Sequence, residues 1–127
     1  MKLIIAGGRD ITIDSDFIGD LINRSGLPDQ FEVDNTMQLE IVSGGATGID
    51  TSGEQFGFEY SSKVTKFPAE WDKLGKGAGH IRNKQMADYA DALLLIWNGE
   101  SKGSANMREQ MLKQNKPIYE VILRRVK

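Results

Sequence analysis

Residues 43–50 read SGGATGID, three glycines interleaved with hydroxyl side chains and closed by an aspartate. A β-branched pair, Ile41 and Val42, precedes them, and a segment able to form a helix follows. Gly44, Gly45 and Gly48 let the backbone take positive φ and approach a ligand with no Cβ in the way, while the first N–H groups of the helix point at an arriving anion. Ser43 and Thr47 add hydroxyls, either of which could cap the helix, and Ala46 and Asp50 complete the stretch. The chemistry this suits is the cradling of a phosphate. The same eight residues also suit a tight strand-to-helix turn with no ligand.

Other residues of the same kind recur along the chain. Gly7, Gly8 and Arg9 follow an apolar run, and Arg9 can meet a phosphate or carboxylate with two parallel hydrogen bonds, or pair with a neighbouring acid. The stretch from Phe67 through Pro68 to Trp71 brings an aromatic that can wall a pocket and stack on a base or sugar, or plug the edge of the core. Arg82 and Asn83 fall near the start of an expected helix at 80–90. A cation there opposes the helix dipole, which points to an anion as its partner, although a solvated arginine also fits. Trp97 ends a second apolar run, and Gly103 and Ser104 lie in the turn after it. His80 stands alone, and an isolated histidine is most simply a structural hydrogen-bonding group.

Something must hold these residues together. Residues 2–6 (KLIIA) and 91–97 (DALLLIW) are continuous apolar runs, the pattern of strands covered on both faces. Residues 39–42, 63–67 and 117–123 supply three more strands. Helices are expected at 14–24, with Asp14 or Ser15 as cap, and at 50–60, 80–90 and 105–115; residues 29–38 and 68–79 read as loops. Strand and helix alternate throughout. That pattern predicts an α/β fold, a Rossmann-like three-layer sandwich with a mostly parallel sheet of about five strands. Ligands of such sheets bind beyond the carboxyl ends of the strands, where strand order reverses. The stretches 7–10, 43–50, 67–71 and 98–104 all leave strands at that end.

Composition narrows the function. A chain of 127 residues has the size of one domain, and its 39% hydrophobic and 27% charged content is ordinary for a globular protein. No apolar run approaches a membrane span, no secretion signal is visible, and a cytoplasmic location is expected. The chain has no cysteine and a single histidine, which excludes disulfides, thiolate chemistry and a multi-histidine metal site. The net charge of -2 argues against a nucleic-acid platform, and the basic tail at 124–127 reads as a solvated end.

Together GGRD, SGGATGID, FPAEW with the following GKGAGHIRNKQM, and a late GS turn cover nearly the whole chain in an order that resembles the YspA-type members of the SLOG superfamily. That superfamily includes the LOG phosphoribohydrolases, the DNA-processing protein DprA and the nucleotide-sensing domains of TRPM channels. The resemblance implies a Rossmann-like domain over residues 1–127 whose pocket accepts nucleotides or relatives of AMP, ADP-ribose and NAD. Gly7, Gly8 and Arg9 would form one wall, residues 43–48 the phosphate turn, residues 67–71 a flanking wall, and Arg82 with Asn83 a polar clamp. Related domains often form homodimers, so a dimer is favoured, with Phe56, Phe58 and Tyr60 as part of an interface, although Phe56 is also the residue that the 50–60 helix is expected to turn toward a core.

One departure bears on catalysis. The LOG enzymes carry PGGxGTxxE at the fourth strand exit, and the position of that glutamate holds Met107 here. A methionine handles no proton. Glu100 and Glu109 could substitute only if the pocket turned them inward. The expectation is therefore a binder, with no cofactor, of a nucleotide-like phosphate-bearing small molecule, its phosphate on Gly44, Gly45, Thr47 and Gly48 and its base or sugar under Trp71 or Trp97. The alternatives are a phosphoribohydrolase that cleaves the N-glycosidic bond of a nucleoside monophosphate, and a DprA-like binder of single-stranded nucleic acid, a partner class that the acidic balance disfavours.

Overall fold

The computed structural model describes residues 1–124. Five parallel strands, β1 (Lys2–Gly7), β2 (Glu40–Ser43), β3 (Lys63–Lys66), β4 (Ala92–Trp97) and β5 (Ile118–Ile122), form one sheet in the order β3-β2-β1-β4-β5. Strand order reverses between β1 and β4. These two central strands are the apolar runs of the sequence, and their register pairs Leu3 with Ala92 through Gly7 with Ile96.

Helices cover both faces, and the alternation of side chains along β1 and β4 decides what each face buries. Leu3, Ile5, Ala92, Leu94 and Ile96 point to one side, where Ile18, Leu21 and Ile22 of α1 (Ser15–Ser25) and Ile49 and Phe56 of α3 (Ile49–Tyr60) meet them. Ile4, Ala6, Leu93, Leu95 and Trp97 point to the other, against Met86 and Ala87 of α5 (Ala78–Tyr89) and Met107 and Met111 of α6 (Lys102–Lys113). The result is a three-layer α/β sandwich. Each fully buried Leu or Ile contributes about 1.5–3 kcal/mol through removal from water. Gly53 and Gly57 let α3 sit down on the sheet, because a Cβ at either would run into Ile5 or Val64. Asp14 caps α1 by accepting from the Phe17 N–H at 2.8 Å, and Gly26 stops it in a left-handed conformation.

Three expectations change. The stretch 68–79 contains a helical turn, α4 (Trp71–Leu74), and a 3-10 turn, Gly75–Gly77, that runs into α5; the excursion at 29–38 is likewise bounded by α2 (Leu27–Gln30) and a 3-10 turn, Thr36–Gln38. Phe56 is a core residue, only 2% exposed, whereas Phe58 and Tyr60 face solvent. Of the basic tail at 124–127 only Arg124, which is exposed, belongs to the described residues; the rest of that stretch lies outside them. No helix among the described residues is long and apolar enough to cross a membrane.

Candidate functional site

The glycine loop after β2 is held from within. Ser43 is fully buried; its Oγ accepts from the Gly45 N–H at 3.1 Å and donates to Glu54 Oε2 at 2.6 Å. Asp50 Oδ2 accepts from the Ala46 N–H at 3.1 Å, and the Thr51 hydroxyl donates to the Ala46 carbonyl at 3.0 Å. The Ile49 N–H goes to the Gly8 carbonyl at 3.1 Å, and the Thr47 hydroxyl donates to the Arg9 carbonyl at 3.4 Å. Gly48, at φ 75 and ψ -125, permits this tie: a Cβ there would collide with the backbone of Gly8 and Arg9. The loops after β1 and β2 are thus stitched into one unit.

This bonding changes the expected roles of the loop. Neither Ser43 nor Thr47 caps α3, whose N-cap is Gly48 without a side-chain bond. The N–H groups of Gly45, Ala46 and Ile49 already have partners inside the protein.

The cation of the site is Arg82. Because α5 begins at Ala78, Arg82 lies in the second turn, not the first, so opposition to the helix dipole does not explain it. Its Nη1 donates to the Gly44 carbonyl at 2.6 Å and its Nε to Asn83 Oδ1 at 3.0 Å. Asn83, 6% exposed, passes the connection on: its Nδ2 donates to the Gly103 carbonyl at 3.2 Å and to Asn106 Oδ1 at 3.0 Å. The chain from Gly44 through Arg82 and Asn83 to Gly103 braces the rim from the exit of β2 to the start of α6. A guanidinium carries more N–H donors than these two contacts use. Gly44 makes room for it, since a Cβ there would strike the guanidinium and come within 3.0 Å of Asp50 Oδ2. Neither Arg82 nor Arg9 forms an ion pair among the described residues.

Two adjoining cavities share Arg9, Gly44, Ala46 and Arg82. The inner one, about 60 Å³, lies at the β1/β4 reversal and adds Gly7, Asp50, Asn83, Gly103 and Ser104. Its size suits a single phosphate-like group, and the first turn of α6, capped by Ser101, opens onto it. The outer one, about 600 Å³, adds Gly45, Thr47, Glu54, Lys66 and Trp71. Trp71 is 51% exposed at its edge. Gly8 borders a third cavity on the far side of Arg9, together with Asp10 and Glu100.

Two aromatic assignments fail. Trp97 is the last of the alternating residues that β4 sends to the α5/α6 face; it is 7% exposed, and its Nε1 donates to Glu120 Oε2 at 2.8 Å. It lines neither cavity around Arg82, so it does not cover a ligand there. Phe67 packs on the same core layer with its ring 5.3 Å from that of Tyr89, and the wall of the outer cavity falls to Pro68, Ala69 and Trp71 instead. The residue that sequence reasoning missed is Glu54. Its signal was its spacing, four after Asp50, which puts both carboxylates on one face of α3. Glu109 points to Lys113 at 3.7 Å on the exposed side of α6, and Met107 borders the inner cavity.

Burial dominates the electrostatics. It raises the pKa of Asp50 above its ordinary 3.8, against the stabilising Ala46 N–H and the Arg82 charge, and it lowers the pKa of Arg82 against the attraction of Asp50. Folded Asp50 therefore holds its proton more tightly than unfolded Asp50. Its favourable contribution is full at low pH and is lost as pH rises from about 4 through the raised folded value. Asp50→Asn keeps an acceptor for Ala46 and removes that loss. Thermal denaturation from about pH 4 to neutral should show the variant more stable than the parent at neutral pH. A less stable variant at neutral pH would mean that the attraction of the Arg82 charge outweighs desolvation.

No protein-family model matches the chain, and no curated protein sequence matches it. Among solved structures, DNA processing protein A (DprA) from Helicobacter pylori, studied for its single-stranded DNA binding mode, matches with a TM-score of 0.65 and 18% identity. The match covers 98% of this chain and 66% of that one, so the chain spans just under two thirds of its neighbour. The fold is similar to that of DprA. At 18% identity the likeness speaks for the fold alone.

Proposed function

We propose that this chain is a YspA-type SLOG domain that binds a nucleotide-derived, phosphate-bearing small molecule at the carboxyl rim of its sheet. The observation that carries the reading is the guanidinium of Arg82, which forms no ion pair among the described residues, in a cavity shared by three strand exits. The phosphate lies between Arg82 and the first turn of α6, with Arg9 adding charge; of the glycine-loop amides, those of Gly45 and Ala46 are engaged within the protein. The nucleoside lies in the outer cavity beside Trp71. Calorimetric titration with AMP, ADP-ribose, NAD and cyclic ADP-ribose isomers tests this. Saturable heat from one of them is expected, and flat traces throughout would refute the reading.

Trp71 gives a sharper check. Half-exposed on a single-turn helix, it supports little of the fold, so Trp71→Ala should shift stability by only about 0.5 kcal/mol. Stacking on a base is worth about 1–3 kcal/mol, so nucleotide affinity should fall roughly fivefold to a hundredfold while inorganic phosphate binding is unchanged. An equal loss for both ligands would place Trp71 in the support of the phosphate end.

Hydrolysis is the weaker reading. Asp50 is the carboxylate that borders the inner cavity, and it is engaged with Ala46. Release of free base from a nucleoside monophosphate, abolished by Arg82→Ala, would establish it. The likeness to DprA keeps a second binding reading, a single-stranded oligonucleotide laid along the rim. Its signature is retention on an oligonucleotide column that falls steeply with salt, since each phosphate contact releases counterions.

A further inference from the structure

The outer cavity is lined by three cations, Arg9, Lys66 and Arg82, and by one carboxylate, Glu54, which is only 9% exposed. Its Oε2 accepts from the buried Ser43 hydroxyl at 2.6 Å, and its Oε1 pairs with Lys66 Nζ at 3.2 Å. Both contacts fix where the carboxylate sits. An ionised carboxylate has more lone pairs than these two contacts take, and the side chain borders the cavity. It accepts hydrogen bonds and offers none, so the part of a ligand that meets it must be a donor. On a phosphate-bearing ligand, the donors that come as a close pair are vicinal sugar hydroxyls, which an acidic side chain also recognises in dinucleotide-binding sheets.

We infer that Glu54 is a specificity-determining residue that reads the ribose diol of a ribonucleotide whose phosphate lies at Arg82. This inference rests on the nucleotide-binding reading given above. It narrows the ligand class to ribonucleoside phosphates and disfavours deoxynucleotides. It also gives the Ser43–Glu54 bond a purpose beyond the loop: the strand end that shapes the phosphate wall also aims the sugar reader.

Calorimetric titration of the whole chain with AMP and with 2′,3′-dideoxy-AMP tests it, in the parent and in Glu54→Gln. Glutamine still accepts from Ser43 and so preserves the loop. The parent should bind AMP on the order of tenfold more tightly than the dideoxy analogue, because hydrogen bonds to a charged group are among the strong ones. The variant should bind both nucleotides alike, at the parent's affinity for the dideoxy analogue. Equal affinities in the parent would overturn the inference and leave nucleotide binding standing, and that comparison needs no variant. An equal drop for both ligands in Glu54→Gln would overturn it too, by making Glu54 a support of the loop. No binding of either nucleotide would overturn this inference, and flat traces with ADP-ribose, NAD and cyclic ADP-ribose isomers as well would remove the site reading with it.

Discussion

Arg82→Ala should cut nucleotide affinity by on the order of a hundredfold while the chain stays folded. The guanidinium is where charge is available: its two internal contacts leave donors directed at the shared cavity, and no acid among the described residues pairs with it. Each hydrogen bond to a charged partner is worth about 1.5–3 kcal/mol, and a phosphate can take two from one arginine, so a loss of about 3 kcal/mol is the minimum expected. Stability should change little. Burial already works against the Arg82 charge, and the Gly44 carbonyl, facing an open cavity, regains a partner from water. Arg82→Lys should recover only part of the affinity, since one ammonium cannot hold Gly44, satisfy Asn83 and grip a phosphate in plane. Calorimetry with AMP and ADP-ribose, alongside thermal denaturation, measures both halves. An unchanged affinity in a folded variant would move the anion elsewhere.

The second large effect concerns the fold. Gly48→Ala should destabilise the chain by about 3 kcal/mol or more, because two costs combine: the φ 75, ψ -125 backbone is strained for an L-residue, and the new Cβ would collide with Gly8 and Arg9. Neither loop can yield alone, since the Ile49 N–H and the Thr47 hydroxyl tie them together. Gly45→Ala is the matched control. It shares φ 75 but has nothing within 4 Å of its would-be Cβ, so only the backbone strain of about 1 kcal/mol is expected. Urea denaturation of the two variants separates strain from collision. Equal midpoints would mean that the two loops are free to part.

Much of this architecture was legible in the sequence, for a physical reason. Strands covered on both faces have no polar face to show, so 2–6 and 91–97 read as unbroken apolar runs, and the glycines that follow them marked the sheet rim. Strand order was not legible, because no local pattern says which strand lies beside which. Gly75, Gly77 and Gly79 disguise the helical turns around the start of α5 as loop, which moves the expected start by two residues and Arg82 from the second turn to the first. Trp97 was misjudged by attention to its type over its parity: in a strand of period two, Leu93 and Leu95 already assign it to the buried layer. Glu54 was overlooked because a glutamate between glycines in a helix looks solvated until the strand below supplies Ser43 and the next supplies Lys66.

The brace from Gly44 to Gly103 also constrains how an occupied site could be felt elsewhere. A rim that is cross-tied before anything arrives has little freedom left to surrender, so occupancy leaves the sheet end much as it was. The stretch 68–77 lies outside this brace, as two short turns whose Trp71 and Leu74 are exposed. If the site is occupied as proposed, a change felt by another molecule would be expected at that stretch or at the exposed part of the ligand.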